Sequence, residues 1–466
     1  MENFDVIVIG AGSGMKVVWS ALDEGLKVAL VEQGPPGGTC LNNGCIPSKI
    51  LIYPADVIST LKDAKAVGID GIISKVDFSL IMGRLWDLIE RARKSSEEEI
   101  NSQEGLTRYK ETGEFVGDHM LQVGDHTIGA PKICIATGAR PGVPPIPGLK
   151  EAGYLDNVSV LNLKKLPRSM IIIGAGYIGC EYGHCFSALG TKVTLIGRHP
   201  VVLDDEDPEI SAIVTKVLSK DLTYAANYDA DHVESDGEKK IVFARNLKTG
   251  KVDRFEADEI LVAAGRRSNA DLLKPEETGV ETDKKGWIRV NKYLETTKPG
   301  IYALGDATGR YMFKHTANYE ADVVSDNMLR GKMRENDTHA VPHAVFTHPQ
   351  VGSVGMTEAD ALKAGLEILV GRAKYADTAK GYAMDLEEDE GLVKVVVEGG
   401  TGKILGCSIV GPDAAVLVQQ IVLLMNTDTG DMGPLVRSQV IHPAMSEVIA
   451  NAFANLESPS LTTLKH

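Results

Sequence analysis

Two cysteines, Cys40 and Cys45, stand with four residues between them, directly behind a glycine-rich turn. Four residues form about one helical turn, so two thiols at this spacing come within disulfide reach at a helix start. A helix N-terminus also lowers a thiol pKa, which favours the thiolate of Cys40, Cys45 or both. Zinc needs about four ligands, and no second cysteine pair or nearby histidine supplies them. The pair therefore predicts a redox-active disulfide rather than half a metal site or two buried thiols.

A histidine and a carboxylate near the end of the chain are candidates for moving protons. His442 and Glu447 stand about one turn apart, so the carboxylate can orient the imidazole if the segment between them is helical. Thiol chemistry near neutral pH needs a general acid–base of this kind. Taken alone, this segment favours a plain surface histidine. The cysteine pair upstream favours the acid–base interpretation.

The first element that must position this chemistry is a β-turn-α-β unit at the start of the chain. Its strand, helix and second strand are predicted over residues 4–9, 16–24 and 27–32. The glycines of its turn are Gly10, Gly12 and Gly14. They let the backbone approach a pyrophosphate at the helix N-terminus, and Glu32 is placed to bind ribose hydroxyls. Met15 occupies the third glycine position, which normally serves close helix–strand packing. A tight turn without a ligand is the alternative.

A second unit of the same kind is predicted over residues 169–196. Its complete Gly-x-Gly-x-x-Gly motif consists of Gly174, Gly176 and Gly179. No acid follows its second strand, where Gly197 and Arg198 stand instead. The missing carboxylate and the nearby arginine favour a ligand with a 2′-phosphate, so NADPH is preferred over NADH. A solvated surface arginine is the alternative. Two such units predict two nucleotide cofactors, or one internal duplication that binds two.

The rest of the chain predicts the organisation around these units. Residues 50–110 are predicted to be helical, and the prolines of residues 141–147 form a stiff connector at a domain boundary. Residues 260–267 resemble residues 133–140, which supports the duplication. Beyond about residue 340 the pattern changes to antiparallel strands and helices. The predicted fold class is α/β, with two Rossmann-type dinucleotide-binding domains and a C-terminal α+β domain.

Several other reactive side chains have simpler interpretations. Asp306 follows a predicted strand and a glycine, where it is placed to bind a ribityl hydroxyl of a flavin or to be an ordinary turn aspartate. Core thiols are predicted at Cys134 and Cys407, and coincidental spacing at Cys180 and Cys185. A metal pair at His343 and His348 is less favoured than packing at a surface or an interface.

Composition limits the possible function classes. The 466 residues suffice for about three domains, and a net charge of −15 argues against nucleic acid as a partner. No apolar run reaches the length of a membrane span, and no signal peptide precedes the first strand. Six cysteines in so long a chain do not make a secreted disulfide framework, so a reducing cytoplasm is the expected compartment.

Residues 38–49, Gly-Thr-Cys-Leu-Asn-Asn-Gly-Cys-Ile-Pro-Ser-Lys, resemble the active-site signature of the class I pyridine nucleotide-disulfide oxidoreductases. Together with the two glycine motifs, Gly305-Asp306 and residues 442–447, the resemblance covers essentially the whole chain in order. The signature's end and the His-Pro-x-x-Ser-Glu pattern are most similar to dihydrolipoamide dehydrogenase. Residues 267–271, 314–318 and 442–444 look at least as close to mycothione reductase. The tail, residues 461–466, lacks the paired cysteines of some thioredoxin and mercuric reductases.

The resemblance implies the domain limits and the cofactors, FAD and NAD(P). The FAD-binding domain would comprise residues 1–148 and 270–340, the NAD(P)-binding domain residues 149–269, and the dimer-interface domain residues 341–466. FAD would be bound by Gly10, Gly12, Gly14, Glu32, Thr39, Lys49, Gly113, Thr137, Gly138, Asp306, Met312 and His315. NAD(P) would be bound by Gly174, Gly176, Tyr177, Gly179, Glu181, Arg198 and Gly265. No metal site is expected.

The resemblance also implies catalytic roles. Cys45 would be the thiol nearest the flavin, and Cys40 would attack the disulfide substrate. Lys49, paired with Glu181, would lie beside the flavin N5, and Tyr177 would cover the nicotinamide pocket. In a homodimer, His442 would reach Cys40 of the other subunit while Glu447 holds its tautomer.

Three functions follow as hypotheses. The first is a dihydrolipoamide dehydrogenase-type enzyme that acts on a dihydrolipoyl group, for example on a carrier protein. The second is an NADPH-dependent reductase of a low-molecular-weight disulfide, similar to mycothione or glutathione reductase. The third is a non-catalytic flavin redox-sensing subunit, which the joint presence of Cys40, Cys45, His442 and Glu447 argues against.

Overall fold

The computed structural model describes residues 1–459. The tail without paired cysteines, residues 461–466, and the last residues of the predicted dimer-interface domain lie outside the described residues. Within residues 1–459, no helix combines the length and the apolar character needed to cross a membrane.

A five-stranded parallel sheet, here called the first parallel sheet, forms around the start of the chain. Its strands, in spatial order, are Ile301–Ala303, Lys132–Ile135, Val6–Ile9, Val28–Val31 and Leu106–Tyr109. The Val6–Ile9 strand is apolar throughout and fully buried, as expected for a parallel strand covered on both faces. The helix Gly14–Asp23 follows it, so the glycine turn lies at the carboxyl edge of the sheet, where such sheets bind ligands.

A four-stranded parallel sheet, the second parallel sheet, repeats this arrangement. Its strands are Thr223–Ala226, Lys192–Gly197, Ser169–Ile173 and Glu259–Val262. Its helices are Tyr177–Leu189 and Pro208–Asp221. A three-stranded antiparallel sheet of Tyr228–Ser235, Lys240–Asn246 and Val252–Ala257 accompanies it. The two predicted Rossmann-type units are therefore present.

The two similar segments after these sheets pair with each other. Ala139–Pro141 and Arg266–Ser268 form a two-stranded antiparallel sheet. Each predicted strand, over residues 133–140 and 260–267, is thus broken into two pieces, because the second piece leaves its parallel sheet to pair across the repeat. A four-stranded sheet of Glu2–Asn3, Gly113–Gly117, Met120–Val123 and His126–Gly129 completes the N-terminal half.

The prediction of continuous helix over residues 50–110 is wrong in two places. The helices are Cys45–Asp63 and Phe78–Asn101, and residues 64–77 between them form turns and irregular backbone. Gly68 and Gly71 interrupt the helical pattern there. Asp77 caps the second helix by accepting a hydrogen bond from the Leu80 amide at 3.0 Å. Leu106–Tyr109 is a strand because it pairs with Val28–Val31, a tertiary contact that local pattern does not reveal.

The C-terminal part is an antiparallel α+β arrangement, as predicted. Its sheet consists of Pro342–Val345, Gln350–Gly355, Ile404–Gly411, Leu392–Glu398, Ile368–Lys374 and Leu456–Glu457. The helices Ala414–Met425 and Ser446–Ala454 pack their buried residues into one core with this sheet. The shorter helices here are Glu358–Lys363, Ala379–Ala383 and Gly433–Arg437. The limits of the three predicted domains stay a prediction.

A buried lysine ties this sheet to the second nucleotide unit. The Lys394 ammonium lies 2.8 Å from Asp207, 2.7 Å from Glu209 and 2.8 Å from Glu358. Lys394, Asp207 and Glu358 are all buried. Removing one partner from such a cluster leaves an uncompensated buried charge, at a cost of about 3–5 kcal/mol. The cluster therefore stabilises the contact between the second nucleotide unit and the C-terminal sheet.

Candidate active site

The cysteine pair lies where two helices meet. Cys40 is in the short helix Gly38–Asn43, and Cys45 is the first residue of the helix Cys45–Asp63. Gly44 separates the two helices, and a Cβ at this position would lie 2.9 Å from the Thr39 carbonyl oxygen. The expectation of one helical turn containing both thiols is therefore wrong in detail. The chain bends sharply at Gly44, and only Cys45 begins a long helix.

The two thiols differ in their acidity. Both are free, with Cys40 half-buried and Cys45 exposed within one chain. A hydrogen bond from Cys40, assisted by the Lys49 charge, outweighs burial and lowers the pKa of Cys45 to about 6. The same hydrogen bond, together with burial, raises the pKa of Cys40 above its ordinary value. The shifts of the two pKa values have opposite directions and favour the thiolate at Cys45, so the two thiols are not equivalent.

Lys49 and Glu181 form an ion pair beside Cys45. The Lys49 ammonium donates to both carboxylate oxygens of Glu181, at 2.8 and 2.7 Å. The Phe346 amide donates to the same carboxylate at 3.0 Å, and the Lys49 ammonium lies 4.5 Å from the centre of the Phe346 ring. Glu181 is buried, whereas the Lys49 side chain is 35% exposed and lines the adjoining cavity. This geometry brings together two residues that are 132 positions apart in the sequence.

A cavity of about 650 Å³ opens in front of Cys45 and Lys49. Two predicted FAD-binding residues, Met312 and His315, also line it. The remaining wall comes from the N-terminal end of the helix Lys314–Val324 and from the C-terminal part of the chain. Cys45 therefore faces a space between the first nucleotide unit and the C-terminal part of the chain.

The first glycine turn approaches its neighbours closely. Gly10 has φ +109°, and a Cβ there would lie 2.3 Å from the Ala136 carbonyl oxygen. Gly14 takes the close-packing role expected of the third glycine, since a Cβ there would lie 2.9 Å from the Ala136 Cβ. Met15 is the second residue of the helix Gly14–Asp23, so its side chain does not prevent the glycine turn from forming. Gly12 lies against Gly38, where the cysteine-bearing helix begins.

Glu32 lies beside this turn. Its carboxylate accepts hydrogen bonds from the Ala11 amide at 2.8 Å and from the Gly34 amide at 2.8 Å. A cavity of about 190 Å³, lined by Ala11 and Gly12 among others, adjoins the turn. The predicted ribose-binding acid is therefore close to the predicted pyrophosphate-binding backbone.

The other predicted FAD residues surround the edge of the first parallel sheet. Asp306, in the turn Gly305–Thr308, lies 3.3 Å from the Arg266 guanidinium, and burial raises the pKa of its carboxyl. Thr137 and Gly138 follow the strand Lys132–Ile135, and Gly138 has φ +65°. Gly113 is buried against Val31, and Thr39 belongs to the Cys40 helix.

The second glycine turn repeats the geometry of the first. Gly174 has φ +112°, and a Cβ there would lie 2.4 Å from the Ala263 carbonyl oxygen, matching the Gly10–Ala136 contact. A Cβ at Gly179 would lie 1.9 Å from the Gly174 carbonyl oxygen. Gly176 has open space around it, which leaves its backbone accessible to a ligand. Gly265 is placed where the two repeats meet, because its carbonyl accepts from the Gly142 amide at 2.9 Å.

Tyr177 is held by a buried carboxylate and stacks on His343, which lines the larger cavity. Its hydroxyl donates to Glu206 at 2.9 Å, and the His343 ring lies 2.6 Å from the same carboxylate oxygen. Ser353 donates to the second oxygen at 2.7 Å. Burial raises the pKa of Glu206, but these hydrogen bonds outweigh it and lower the pKa below its usual value. Tyr177 also stacks on His343, with ring centres 5.4 Å apart.

Arg198 follows the strand Lys192–Gly197, at the carboxyl edge of the second parallel sheet. Its side chain is 68% exposed and lies 3.6 Å from Asp229. A Cβ at Gly197 would meet the Tyr224 hydroxyl at 2.5 Å, so this position has no room for the acidic side chain usual there. The arginine is accessible from the edge that the second glycine turn shares.

His442 and Glu447 form the predicted pair. The His442 Nδ1 lies 2.8 Å from the Glu447 carboxylate, which also accepts from the Ala444 amide at 3.0 Å. The hydrogen bond from His442 lowers the pKa of Glu447. The helix Ser446–Ala454 begins after His442, so the contact forms without a helical segment between the two residues. Within residues 1–459 of one chain, no hydrogen bond joins His442 to Cys40 or Cys45.

The remaining cysteines and histidines have local structural partners. The thiols of Cys134, Cys180, Cys185 and Cys407 are buried. Burial raises the pKa of Cys134 to about 12 and raises the pKa values of the other three thiols. His348 lies 2.7 Å from Asp63, whereas His343 binds Glu206, so the two histidines have different carboxylate partners. This agrees with packing rather than a shared metal site.

Sequence reasoning missed several residues that line the site. Glu206 and Phe346 contact Tyr177 and Lys49, and Lys314 lines both cavities. Neither Glu206 nor Phe346 belongs to a recognisable spacing pattern, because tertiary contact alone brings them to the site. Lys314 offered a signal, since a lysine at the start of the helix after Asp306 carries positive charge toward the same sheet edge.

Comparisons with known proteins agree with this geometry. Residues 4–321 match the family model of the pyridine nucleotide-disulphide oxidoreductases, and residues 341–453 match the dimerisation domain of the same family. The chain belongs to this family. Its members use FAD and NAD(P)H, and the dimerisation domain indicates a homodimer.

Relatives and solved structures cover nearly the whole chain. The mycothione reductase of Mycobacterium tuberculosis (strain ATCC 25618 / H37Rv) is 36% identical over 98% of this chain and 100% of its own length. The dihydrolipoyl dehydrogenase of Rhizobium etli is 34% identical over 97% of both chains. The HOCl-induced flavoprotein disulfide reductase RclA from Escherichia coli superimposes with a TM-score of 0.85 at 29% identity, covering 97% of this chain and 99% of that one.

The residues at the first nucleotide unit fit FAD. Three buried polar atoms around the predicted site have no hydrogen-bond partner among the described residues: Thr137 Oγ1, Arg266 Nε and Thr316 Oγ1. Buried polar groups are normally satisfied, so these atoms are available to a ligand with hydroxyl and carbonyl groups. The glycine turn offers backbone amides to a pyrophosphate. FAD bound here would supply the two-electron relay between nicotinamide and thiols.

Proposed function

We propose that the chain is an FAD-dependent reductase that passes electrons from NADPH to a small disulfide through Cys40 and Cys45. The observation that carries this proposal is the asymmetry of the pair. Cys45 has a pKa of about 6 and faces a 650 Å³ cavity beside the Lys49–Glu181 ion pair. Cys40 keeps its proton until the disulfide substrate arrives. Perturbed thiols in a cleft are typical of catalytic sites.

The electrons of the thiol–disulfide exchange balance with Cys40 and Cys45 as the only donors. Deprotonated Cys40 attacks one sulfur of the substrate disulfide, which forms a mixed disulfide and releases the first thiolate. The Cys45 thiolate then attacks the Cys40 sulfur, which closes the Cys40–Cys45 disulfide and releases the second thiolate. The substrate gains two electrons and the cysteine pair loses two. Cys45 lies nearest Lys49 and is the thiol proposed to face the flavin.

Protons for the released thiols come from His442 of the partner subunit in this proposal. Its ring is 70% exposed within one chain, so it is free to enter a second subunit's site. Glu447 accepts from Nδ1, which leaves Nε2 to exchange the proton with Cys40 and the leaving thiol. Each active site would then contain residues of both chains.

Lys49 and Tyr177 are proposed to serve the cofactors. The Lys49 ammonium, held by Glu181, is placed to favour negative charge on a reduced flavin. Tyr177, held by Glu206, is placed to cover the nicotinamide pocket next to the second glycine turn. The contacts of Lys49 with Glu181 and of Tyr177 with Glu206 support these two roles.

We prefer a small disulfide as the substrate and NADPH as the nucleotide for two reasons. Arg198 stands exposed at the sheet edge where NADH-binding sites carry an acid, which favours a 2′-phosphate. The 36% identical mycothione reductase also matches this chain over its whole length. A dihydrolipoyl group is the second candidate, supported by the Cys-Ile-Pro-Ser-Lys sequence and by the 34% identical dihydrolipoyl dehydrogenase. The cytoplasmic location predicted from the cysteine content stays a prediction.

Steady-state assays test the substrate and the nucleotide together. Purified dimer is supplied with NADH or NADPH and with lipoamide, glutathione disulfide or mycothione disulfide. We expect NADPH oxidation that depends on a small disulfide, with lipoamide turnover no better than the blank. NADH-linked turnover of lipoamide would instead establish the second candidate. A purified protein without flavin absorbance would contradict both.

The substitution Arg198→Ala tests the nucleotide preference directly. We expect the KM for NADPH to rise about tenfold, equivalent to about 1.4 kcal/mol, with the KM for NADH unchanged. Arg168→Ala is the matched control, because this exposed arginine precedes the strand Ser169–Ile173 and so lies at the opposite edge of the same sheet. Equal effects of Arg198→Ala on both nucleotides would remove the argument for a 2′-phosphate.

A further inference from the structure

Lys314 is a half-buried lysine at the junction of the two cavities. It is the first residue of the helix Lys314–Val324, and it lines both the 650 Å³ cavity and the 190 Å³ cavity at the first glycine turn. Its ammonium donates to the Ser13 hydroxyl at 3.0 Å, and that hydroxyl donates to the Asn318 side chain at 2.9 Å. The side chain is therefore anchored rather than free in solvent.

This anchor holds the ammonium close to the Cys40 helix. Ser13 follows Gly12, and Gly12 is so close to Gly38 that a Cβ on Gly38 would lie 2.8 Å from the Gly12 Cα. Gly38 begins the helix that carries Cys40. The contacts therefore run from Lys314 to Ser13 and from Gly12 to Gly38. Gly38 is two residues before Cys40, the thiol proposed to attack the substrate.

Lys314 differs from the neighbouring lysines, Lys16 and Lys49, which each form an ion pair with a carboxylate. Lys49 is paired with Glu181 at 2.7 Å, and Lys16 with Asp322 at 2.7 Å. Among residues 1–459, no carboxylate lies within 4.0 Å of the Lys314 ammonium, which is the limit for an ion pair. A half-buried cation without a carboxylate partner attracts any anion formed nearby.

We propose that Lys314 is a positioning residue whose ammonium stabilises the thiolate of Cys40 while this thiol attacks the disulfide. The inference rests on the proposed disulfide reductase function and assigns a separate cation to each thiol. Lys49 serves Cys45, and Lys314 serves Cys40.

The electrostatics of both groups agree with this assignment. Burial lowers the pKa of Lys314, while the charges of Cys40 and Cys45 oppose that shift. Lys314 in turn lowers the pKa of Cys40, and does so more than Lys49, although the hydrogen bond to Cys45 dominates. Lys16 is a further charge that acts on Lys314 and lowers its pKa. Other titratable side chains line the two cavities with Lys314: Glu99 in the smaller one, and Cys45, Lys49, His315, Tyr319, Asp337, His339 and His343 in the larger one.

The test measures the ionisation of Cys40 without using a substrate. In a Cys45→Ser background, Cys40 is the one accessible thiol of the described residues, because the other four are buried. The rate of iodoacetamide alkylation of the FAD-loaded dimer is followed against pH. We expect Lys314→Met to raise the pKa of Cys40 and to slow alkylation at pH 7 about tenfold, which is one pKa unit or about 1.4 kcal/mol. Lys314→Arg should restore most of the rate.

Lys16→Met is the matched control, since it removes a nearby lysine that already has a carboxylate partner. It should leave the pH profile unchanged. An unchanged profile in Lys314→Met with normal FAD content would overturn the proposal. So would loss of FAD with an unchanged Cys40 profile, because the lysine would then serve the cofactor's phosphates. Alkylation does not depend on turnover, so this result is independent of whether the enzyme reduces the disulfides assayed above.

Discussion

At the scale of single residues, the proposed chemistry depends on the pKa values of two neighbouring thiols, which a hydrogen bond between them shifts in opposite directions. The bond from Cys40 is the largest cause of the low pKa of Cys45, and the charge of Lys49 adds to it. Since a thiolate and not a thiol is the nucleophile, this bond decides which sulfur is ready at neutral pH. The same bond keeps Cys40 protonated until a substrate displaces Cys45 from it.

The two substitutions Cys40→Ala and Cys40→Ser distinguish the effect of the hydrogen bond on the pKa of Cys45 from the effect of the Cys40 sulfur atom. Alanine removes the donor, so we expect the pKa of Cys45 to rise from about 6 toward its ordinary value near 9. Alkylation of Cys45 at pH 7 should then slow at least tenfold, while its rate above pH 9 stays the same. Serine keeps an O–H donor and should leave the profile close to that of the reduced native pair. Identical profiles for alanine and serine would show that Lys49 alone lowers this pKa.

At the scale of elements, the site depends on the contact between the first glycine turn and the Cys40 helix. Gly38 combines φ +59° with a backbone approach that leaves no room for a Cβ. The contact places the predicted FAD-binding turn and the thiol-bearing segment in a fixed relation. The Lys394 cluster does the same for the second nucleotide unit and the C-terminal sheet.

The substitution Gly38→Ala tests this contact, and Gly25→Ala is its matched control. Gly25 also has positive φ, +74°, but no atom lies within 4 Å of a Cβ placed there. Gly25→Ala should cost about 1–2 kcal/mol of backbone strain and keep full FAD content. Gly38→Ala adds a clash with the Gly12 Cα, so we expect a larger fall in melting temperature and loss of bound flavin absorbance. Equal melting temperatures for the two variants would mean that the backbone at Gly12 and Gly38 shifts to accept the added Cβ at little cost.

At the scale of the whole molecule, a single chain leaves the proposed site incomplete. His442 is exposed and, in the part of its own chain that the structure describes, has no hydrogen bond to either cysteine. The helix Ala414–Met425 is apolar on its exposed side as well, with Val416 69% and Leu423 64% exposed. Exposed apolar residues of this kind are typical of a surface that another subunit covers. The match of residues 341–453 to a dimerisation domain agrees with this interpretation.

Mixed dimers test whether the site is shared between chains. Dimers with Cys40→Ser in both chains, or His442→Gln in both, should lose at least a hundredfold in disulfide reduction, because each lacks the nucleophile or the proton donor. A heterodimer of one Cys40→Ser chain and one His442→Gln chain contains one intact combination if the residues meet across the interface. It should recover about half of the native rate. No recovery would show that Cys40 works with the histidine of its own chain.

The sequence by itself determined the family and the order of the parts. Spacing and residue type predicted the cysteine pair, the two glycine turns and the antiparallel C-terminal region, whereas the His442–Glu447 contact forms without the helical segment on which its prediction depended. These features are local, so short-range geometry fixes them. Helix limits were less accurate, as residues 64–77 and the strand Leu106–Tyr109 show.

Only the tertiary structure decided how the parts act on one another. The bend at Gly44, the Lys49–Glu181 pair and the Tyr177–Glu206–His343 contacts join segments far apart in the chain. The position of the Lys314 ammonium, without a carboxylate partner among residues 1–459, likewise depends on which side chains pack around it. Burial and hydrogen bonding set a pKa, and both depend on neighbours that the order of residues does not reveal. The sequence therefore identified two thiols, and the fold lowers the pKa of one of them.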